Sequence, residues 1–442
     1  MSASGTIFFQ SLGCPKNLVD TEVMLGISAG EGFSIVDEPE KAEIIVINTC
    51  SFINESKRES IDAILDAGQH KEAGTCKRLI VTGCLPQRYK ADLKVSFPEV
   101  DAFVGTGQYA RLPEFIRGKY EEEEGFRHPR YIHEESTPRI NSQPRHRAYL
   151  KISEGCIKNC AFCIIPKIRG TLRSRTIPSL VEEARRLTEQ GVVELCLIAQ
   201  DLTDYGRELR DGSNLAGLLR ALAAVDGVRW IRMFYVYPDE ISDDLLELIA
   251  SEPKICKYID TPVQHINDRM LALMNRKVTG AQIRERLDRL RERIPGVFIR
   301  STLITGYPGE TEQEFEDLKK FVAEGRFDHL GVFAYSHEED TASYALPEQL
   351  PEELKEARRD ELMAIQRDVS AARLKSRVGQ VVLVLVEGPS DESELLWQGR
   401  HEGQAPDIDG HVLLRAGSFS QGAFARVKLE RAMEYDYIGR GV

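Results

Sequence analysis

Long apolar runs are missing from this chain of 442 residues, and so is any excess of positive charge. No stretch approaches the ~18 consecutive apolar residues of a membrane-spanning helix, and the N-terminus lacks a basic segment followed by an apolar run. Both gaps argue for a cytoplasmic protein with no membrane partner. The formal net charge of −12 disfavours a sequence-independent grip on phosphates and leaves a basic protein partner open. Internal repeats and low-complexity tracts are absent. Nine cysteines without a secretion signal argue against a disulfide framework, because a reducing compartment keeps thiols free for metals or catalysis. The length predicts two or three domains, each able to pack a core of its own.

What is present begins with Cys156, Cys160 and Cys163, a C-x3-C-x2-C triplet on a loop directly after the apolar strand Ala148-Tyr149-Leu150-Lys151-Ile152. Three thiolates on one short loop bind a metal. Zinc wants four ligands and usually takes a second cysteine or histidine pair downstream, and no second such pair follows. Three ligands leave one iron of a 4Fe-4S cluster open to a substrate or cofactor. Lys158 and Asn159 between the thiols speak against three small core residues. The spacing resembles the signature of the radical S-adenosylmethionine (SAM) enzymes. That resemblance implies a [4Fe-4S] cluster whose open iron is chelated by the amino and carboxylate groups of SAM.

Residues 6 to about 117 read as an open α/β unit, with strands at Thr6 to Gln10, Glu43 to Asn48 and Arg78 to Thr82 and helices near Leu18 to Ala29 and Ser56 to His70. A polar stretch at 118–147, with the acid run Glu121-Glu122-Glu123-Glu124, reads as a linker or edge hairpin whose acids are a solvated surface. Residues 148–376 alternate strand and helix. Strands are predicted at Val193 to Ala199, Val228 to Tyr235, Lys257 to Asp260, Val297 to Ile304 and Asp328 to Ala334. With the first strand they make six βα units, a parallel sheet curved into a partial (β/α)6 barrel whose active site lies at the strands' C-terminal ends. A long helix from about Pro351 to Lys375 leads to 377–442, read as a small antiparallel, OB-like β-barrel. The fold class is therefore α/β, with domains at 1–117, 148–376 and 377–442.

Cys14, Cys50 and Cys84 each close a predicted strand of the first unit, so a parallel sheet brings three thiols distant in sequence to one edge, where open α/β folds bind ligands. Gly13 and Gly83 allow close backbone approach. A second [4Fe-4S] cluster follows, again with one iron free of protein ligands. Cys76, placed before its strand, Cys196 within one and Cys256 beside another are read as inert.

Ser11-Leu12-Gly13-Cys14-Pro15-Lys16-Asn17-Leu18, Asn48-Thr49-Cys50 and Thr82-Gly83-Cys84 resemble the N-terminal domain of the methylthiotransferases, and the tail resembles their TRAM domain. Cys14-Pro15-Lys16-Asn17 and Lys151-Ile152-Ser153-Glu154-Gly155-Cys156 resemble the branch that modifies an aspartate of small-subunit ribosomal protein number twelve. Ile157 and Asp340 depart from that branch, where Asn and Gly are common.

The resemblance implies radical chemistry at an unactivated β-carbon. SAM bound at Cys156, Cys160 and Cys163 is cleaved to a 5′-deoxyadenosyl radical. A cluster on Cys14, Cys50 and Cys84 holds inorganic sulfide, is methylated by a second SAM and delivers the methylthio group. An electron donor and a sulfur donor are required. Candidate SAM contacts are Gln200 and Asp201 after the second barrel strand, His265 after the fourth, Arg300 in the fifth, and Gly306 and Gly309 in Gly306-Tyr307-Pro308-Gly309-Glu310-Thr311, where Thr311 and Glu314 have capping-box spacing. For that segment a plain turn is the competing reading. Lys16, next to a cluster ligand, is left between a surface cation and one that biases the cluster potential and meets an acidic target.

Two rivals remain. The sister branch acts on isopentenyladenosine in tRNA, and OB-like barrels often bind RNA. Residues 377–442, however, carry seven Arg plus Lys against ten Asp plus Glu, a formal charge of −3, which lacks an RNA footprint and would steer toward a basic protein. The other rival is a non-catalytic iron-sulfur scaffold or electron carrier, which would need no six-unit barrel.

Overall fold

The computed structural model describes residues 5–90, 92–121, 125–238, 241–390, 393–415 and 417–442. Strand β1 (Thr6–Ser11), β2 (Ser34–Ile35), β3 (Ile44–Thr49), β4 (Arg78–Gly83) and β5 (Ala102–Gly105) form an all-parallel sheet in the order β2-β1-β3-β4-β5. The run Ile44-Ile45-Val46-Ile47-Asn48-Thr49 is buried throughout, as a central parallel strand covered on both faces requires. One face packs against helix α1 (Pro15–Gly30), the other against α2 (Asn54–Glu72). Two strands beyond the three expected, β2 and β5, complete the sheet.

Strand β6 (Arg147–Lys151) is followed by a two-stranded ribbon, β7 (Ser153–Glu154) with β8 (Arg173–Ser174), which brackets the C-x3-C-x2-C loop. Then β9 (Glu194–Ile198), β10 (Trp230–Met233), β11 (Ile255–Asp260), β12 (Phe298–Thr305) and β13 (His329–Ala334) join β6 in chain order in one parallel six-stranded sheet. This is a partial (β/α)6 barrel. Its outward side chains, among them Leu150, Leu197, Ile231 and Ile259, pack under the helices. Cys256 lies within β11 rather than beside it, buried with Cys196 on the inward face.

Strands β14 (Val381–Ser390), β15 (Ser393–His401), β16 (Val412–Arg415), β17 (Phe424–Ala432) and β18 (Tyr437–Gly441) close a five-stranded barrel. It departs from an all-antiparallel barrel at one pair, since β16 and β18 run parallel. It seats on the N-terminal ends of the larger barrel's strands: Arg400 Nη2 lies 2.6 Å from Glu194 Oε2, Arg147 Nη2 donates to Asp407 at 2.8 Å, and Arg232 Nη1 donates to the Glu402 carbonyl at 2.7 Å.

The N-terminal sheet covers the opposite mouth through α1. Between them, 118–146 contains no β-strand among its described residues, so it is not an edge hairpin. It is no loose tether either. The buried side chain of Arg139 donates to Glu22 of α1 at 2.5 Å, to Glu183 at 2.5 Å and to the Tyr149 carbonyl at 2.7 Å. Of the acid run, Glu122, Glu123 and Glu124 lie outside the described residues.

Candidate functional site

Pairing of Ser11 with Asn48 and of Thr49 with Gly83 aligns the C-terminal ends of β1, β3 and β4, so Cys14, Cys50 and Cys84 share one edge. Cys14 is the N-cap of α1 with Pro15 at the first helical position, and its side chain makes no capping hydrogen bond, so the thiol is not spent on the helix end. Gly13 has φ +84°, and a Cβ there would lie 2.6 Å from Cys50 Cβ and 2.9 Å from Cys50 Sγ. Only glycine fits this close to Cys50. Burial pushes the Cys84 thiol up to about 12 against the pull of Arg169, whose Nη2 stands 3.5 Å from Cys84 Sγ. Burial, with Cys14 adding to it, also raises Cys50.

The second triplet hangs on a loop pinned from four sides. The Cys156 amide donates to the Gly170 carbonyl at 3.1 Å and the Ala161 amide to the Met274 carbonyl at 3.0 Å. The Ser343 amide donates to the Ala161 carbonyl at 2.9 Å, and Asn275 Nδ2 to the Asn159 carbonyl at 2.5 Å. Gly155 turns the chain into the loop at φ +83°, where a Cβ would meet the Thr171 carbonyl oxygen at 2.2 Å. Burial raises Cys160, and pushes Cys156 to about 11 and Cys163 to about 12. Tyr237 OH is 3.4 Å from Cys160 Sγ and Arg276 Nη1 is 3.8 Å from it, with the guanidinium stacked 4.2 Å from the tyrosine ring centroid.

Within each triplet the thiols are close enough to perturb one another electrostatically. Among the described residues no three His, Cys, Asp or Glu side chains converge as tightly as a single ion demands. Six soft sulfur donors in two groups of three, flanked by Arg169 and Arg276, fit iron-sulfur clusters. Binding would replace thiol protons with metal, so it should release protons.

A buried ionic network joins the two triplets. Lys151 pairs with Asp20 of α1 and, at 2.9 Å, with Glu154. Arg169 Nη1 reaches Asp20 at 2.6 Å and Glu154 at 3.0 Å, while its Nη2 donates to Asn17. Lys16 is buried here, not a surface cation. Its Nζ donates to the Ala199 carbonyl at 3.3 Å and stands 4.2 Å over the Tyr235 ring. Desolvation works against this ammonium, yet Tyr235, Cys14 and Glu154 leave its pKa above the ordinary lysine value.

The sequence-predicted SAM contacts separate into groups. Gln200 donates to Glu154 at the mouth, and its buried Oε1 has no partner among the described atoms. Asp201 lies 3.5 Å from Lys158 and bears electrostatically on Cys156 and Cys160; burial raises its carboxyl to about 6. Arg300 points into the barrel, 3.8 Å from Asp260 and 3.5 Å from Asp409 of the tail. His265 is fully enclosed, with Nε2 3.4 Å from Glu310 and Nδ1 accepting from the Asn267 amide. Gly306 and Gly309, at φ +73° and +74°, make a turn folded onto the helix Glu352–Ser376, where a Cβ at Gly306 would lie 2.4 Å from Lys355 Cγ. Thr311 and Glu314 form the expected capping box. Arg169, Tyr237 and Arg276 were missed. Arg169, six residues beyond Cys163, carried a faint signal by proximity; the other two carried none.

Residues 6–105 match the Uncharacterized protein family UPF0004, 150–322 the Radical SAM superfamily and 378–442 the TRAM domain. The chain is 49% identical to a protein of Geotalea uraniireducens over 97% of its own length and 96% of the relative's, and 49% identical to one of Geobacter sulfurreducens over 99% of each. A Myxococcus xanthus protein is also 49% identical, over 99% of this chain and 92% of that one. All three bear the name ribosomal protein uS12 methylthiotransferase RimO. Among solved structures, the radical SAM methyltransferase TsrM of Kitasatospora setae superposes with a TM-score of 0.56 at 13% identity, over 74% of this chain and 73% of that one. This last likeness is one of fold alone.

Proposed function

Because the chain belongs to the ribosomal protein uS12 methylthiotransferases of the radical SAM superfamily, we propose that it attaches a methylthio group to the β-carbon of an aspartate in uS12, using two [4Fe-4S] clusters and two molecules of SAM. The protein is an iron-sulfur, SAM-dependent transferase acting on uS12. The two-cluster arrangement and the choice of an aspartate are our proposal. We propose the division into 1–117, 118–147, 148–376 and 377–442 as well, supported by the three larger sheets, each of which falls within one of those limits save that β6 begins one residue early, at Arg147. No helix among the described residues is long and apolar enough to cross a membrane; the cytoplasmic site of action proposed here rests on the ribosomal target.

One observation carries the two-cluster reading: two thiol triplets from different sheets flank one space, locked by Asp20, Lys151, Glu154 and Arg169. When bound, a cluster on Cys156, Cys160 and Cys163 supplies the electron that cleaves SAM, and one on Cys14, Cys50 and Cys84 supplies the iron from which sulfur is passed on. The chain's own part is positional. Arg276, in turn held by the Pro262 carbonyl at 2.7 Å, fixes the Tyr237 hydroxyl against Cys160. Gln200, with its unpartnered oxygen, and Asp201 line the mouth where SAM would lie. His265 and the Gly306 amide are tied to one another through Glu310.

An external electron donor and sulfur donor complete the scheme. The test is anaerobic incubation of the reconstituted enzyme with SAM, sulfide, a low-potential reductant and either whole uS12 or tRNA carrying isopentenyladenosine. A methylthio adduct on one aspartate of uS12, with tRNA unchanged, is the expected result. Modified tRNA and unmodified uS12 would overturn it.

A further inference from the structure

Three lysines approach the space between the thiol triplets. Lys151 is paired with Asp20 and Glu154, and Lys158 lies 3.5 Å from Asp201 and 3.4 Å from Asp204. Lys16, 8% exposed, has no carboxylate within ion-pair distance among the described residues; its contacts are the Ala199 carbonyl and the Tyr235 ring. Of an ammonium's three donors, one reaches the Ala199 carbonyl and the ring face takes another, which leaves one for a ligand. The carboxylates that act on it electrostatically are committed elsewhere: Glu154 to Lys151, Arg169 and Gln200, and Asp260 to the Tyr235 amide and Arg300. Arg276 also lacks a carboxylate, but its guanidinium is occupied by Tyr237 and the Pro262 carbonyl.

The surroundings hold Lys16 in place. Tyr235 beneath it adopts φ +60°, a strained conformation for a bulky side chain, fixed by its amide donating to Asp260 at 3.2 Å and its carbonyl accepting from Leu202 at 3.0 Å. Lys16 also acts electrostatically on Cys163 of one triplet while feeling Cys14 of the other. A buried ammonium held in place beside both triplets, with a donor to spare, is pre-organised to take an anion.

Given the aspartate substrate proposed above, we infer that Lys16 binds the carboxylate of the aspartate being modified and so selects that residue. In aspartate the carboxylate carbon is bonded directly to the β-carbon, so gripping the carboxylate fixes the reacting C–H within one bond of the contact. Asparagine would present neutral amide atoms to the ammonium, and the isopentenyl group of a tRNA base carries no anion at all. Lys16 is thus a specificity-determining residue supplied by the N-terminal unit to chemistry in the barrel.

The experiment compares binding of two uS12 loop peptides, with aspartate or asparagine at the target position, to reconstituted wild type and Lys16→Gln. Wild type should prefer the aspartate peptide by about tenfold or more, the worth of one charge-assisted hydrogen bond. Lys16→Gln should bind both peptides alike, at the wild-type asparagine affinity and with unchanged iron content. A variant that keeps the preference, or loses both peptides equally, overturns the role of Lys16. Should the variant lose iron, carbodiimide coupling on wild type decides, since it joins a carboxylate to an adjacent amine with loss of water. A Lys16–target aspartate isopeptide supports the inference; coupling to another lysine, or no coupling, overturns it. Wild type that forms no methylthio product on the aspartate peptide would instead sink the substrate reading itself.

Discussion

Gly13 makes the arrangement at the residue scale concrete. Its φ of +84° and the 2.6 Å that a Cβ would leave to Cys50 mean that alanine there must strain the backbone and displace Cys50. Gly13→Ala should therefore lose iron from the N-terminal triplet alone, leaving about four irons per chain instead of about eight. Full iron loading by inductively coupled plasma analysis would show that the backbone can give way. The six thiols were legible before the fold because a C-x3-C-x2-C loop is local and because three strand ends in one parallel sheet are neighbours by topology. Arg169, Tyr237 and Arg276 were not, since their meaning comes from partners up to 152 positions away, as with Arg169 and Asn17. Lys16 was visible as a residue but not as a buried one.

Elements with a strong period came through the sequence well. The six barrel strands and the helix Glu352–Ser376 lie within a few residues of where their patterns put them. The misses are short: β2 has two residues, both exposed, and β5 has four, too few for alternation to register. Stretch 118–147 misled for another reason. Its polar composition hides Arg139, which is buried only because Glu22 and Glu183 meet it there. Elements also carry the tail's seating. Arg400 of β15 and Arg232 of β10 hold Glu194 of β9 down to about 2, against burial. A carboxyl depressed in the folded state adds stability above its unfolded value of 4.5 and loses it as pH falls from there toward 2. Arg400→Met should cost about 3–5 kcal/mol by leaving Glu194 partly uncompensated. It should also shrink the loss of stability between pH 4.5 and 2, because Glu194 is no longer held as low in the folded state. Denaturant titrations of the metal-free chain at several pH values measure both; an unchanged midpoint would mean that the tail is seated by apolar contacts such as Trp230 against Phe424.

At the scale of the whole molecule the chain is a stack. The N-terminal sheet covers the mouth of the partial barrel, and the small barrel closes the other end, away from both thiol triplets. Sequence charge assigned the tail to docking a basic partner; its seating by Arg400, Arg232 and Arg147 gives it a structural task as well. The stack's purpose, on this account, is to present one substrate carbon to two reaction centres with separate roles. The direct test is the variant with Cys14, Cys50 and Cys84 all replaced by alanine, reconstituted beside wild type and assayed for iron, deoxyadenosine and methylthiolated uS12. The account predicts about eight irons falling to about four, deoxyadenosine still formed and no methylthiolated product. Methylthiolated uS12 from the triple variant, or only four irons in wild type, would contradict it.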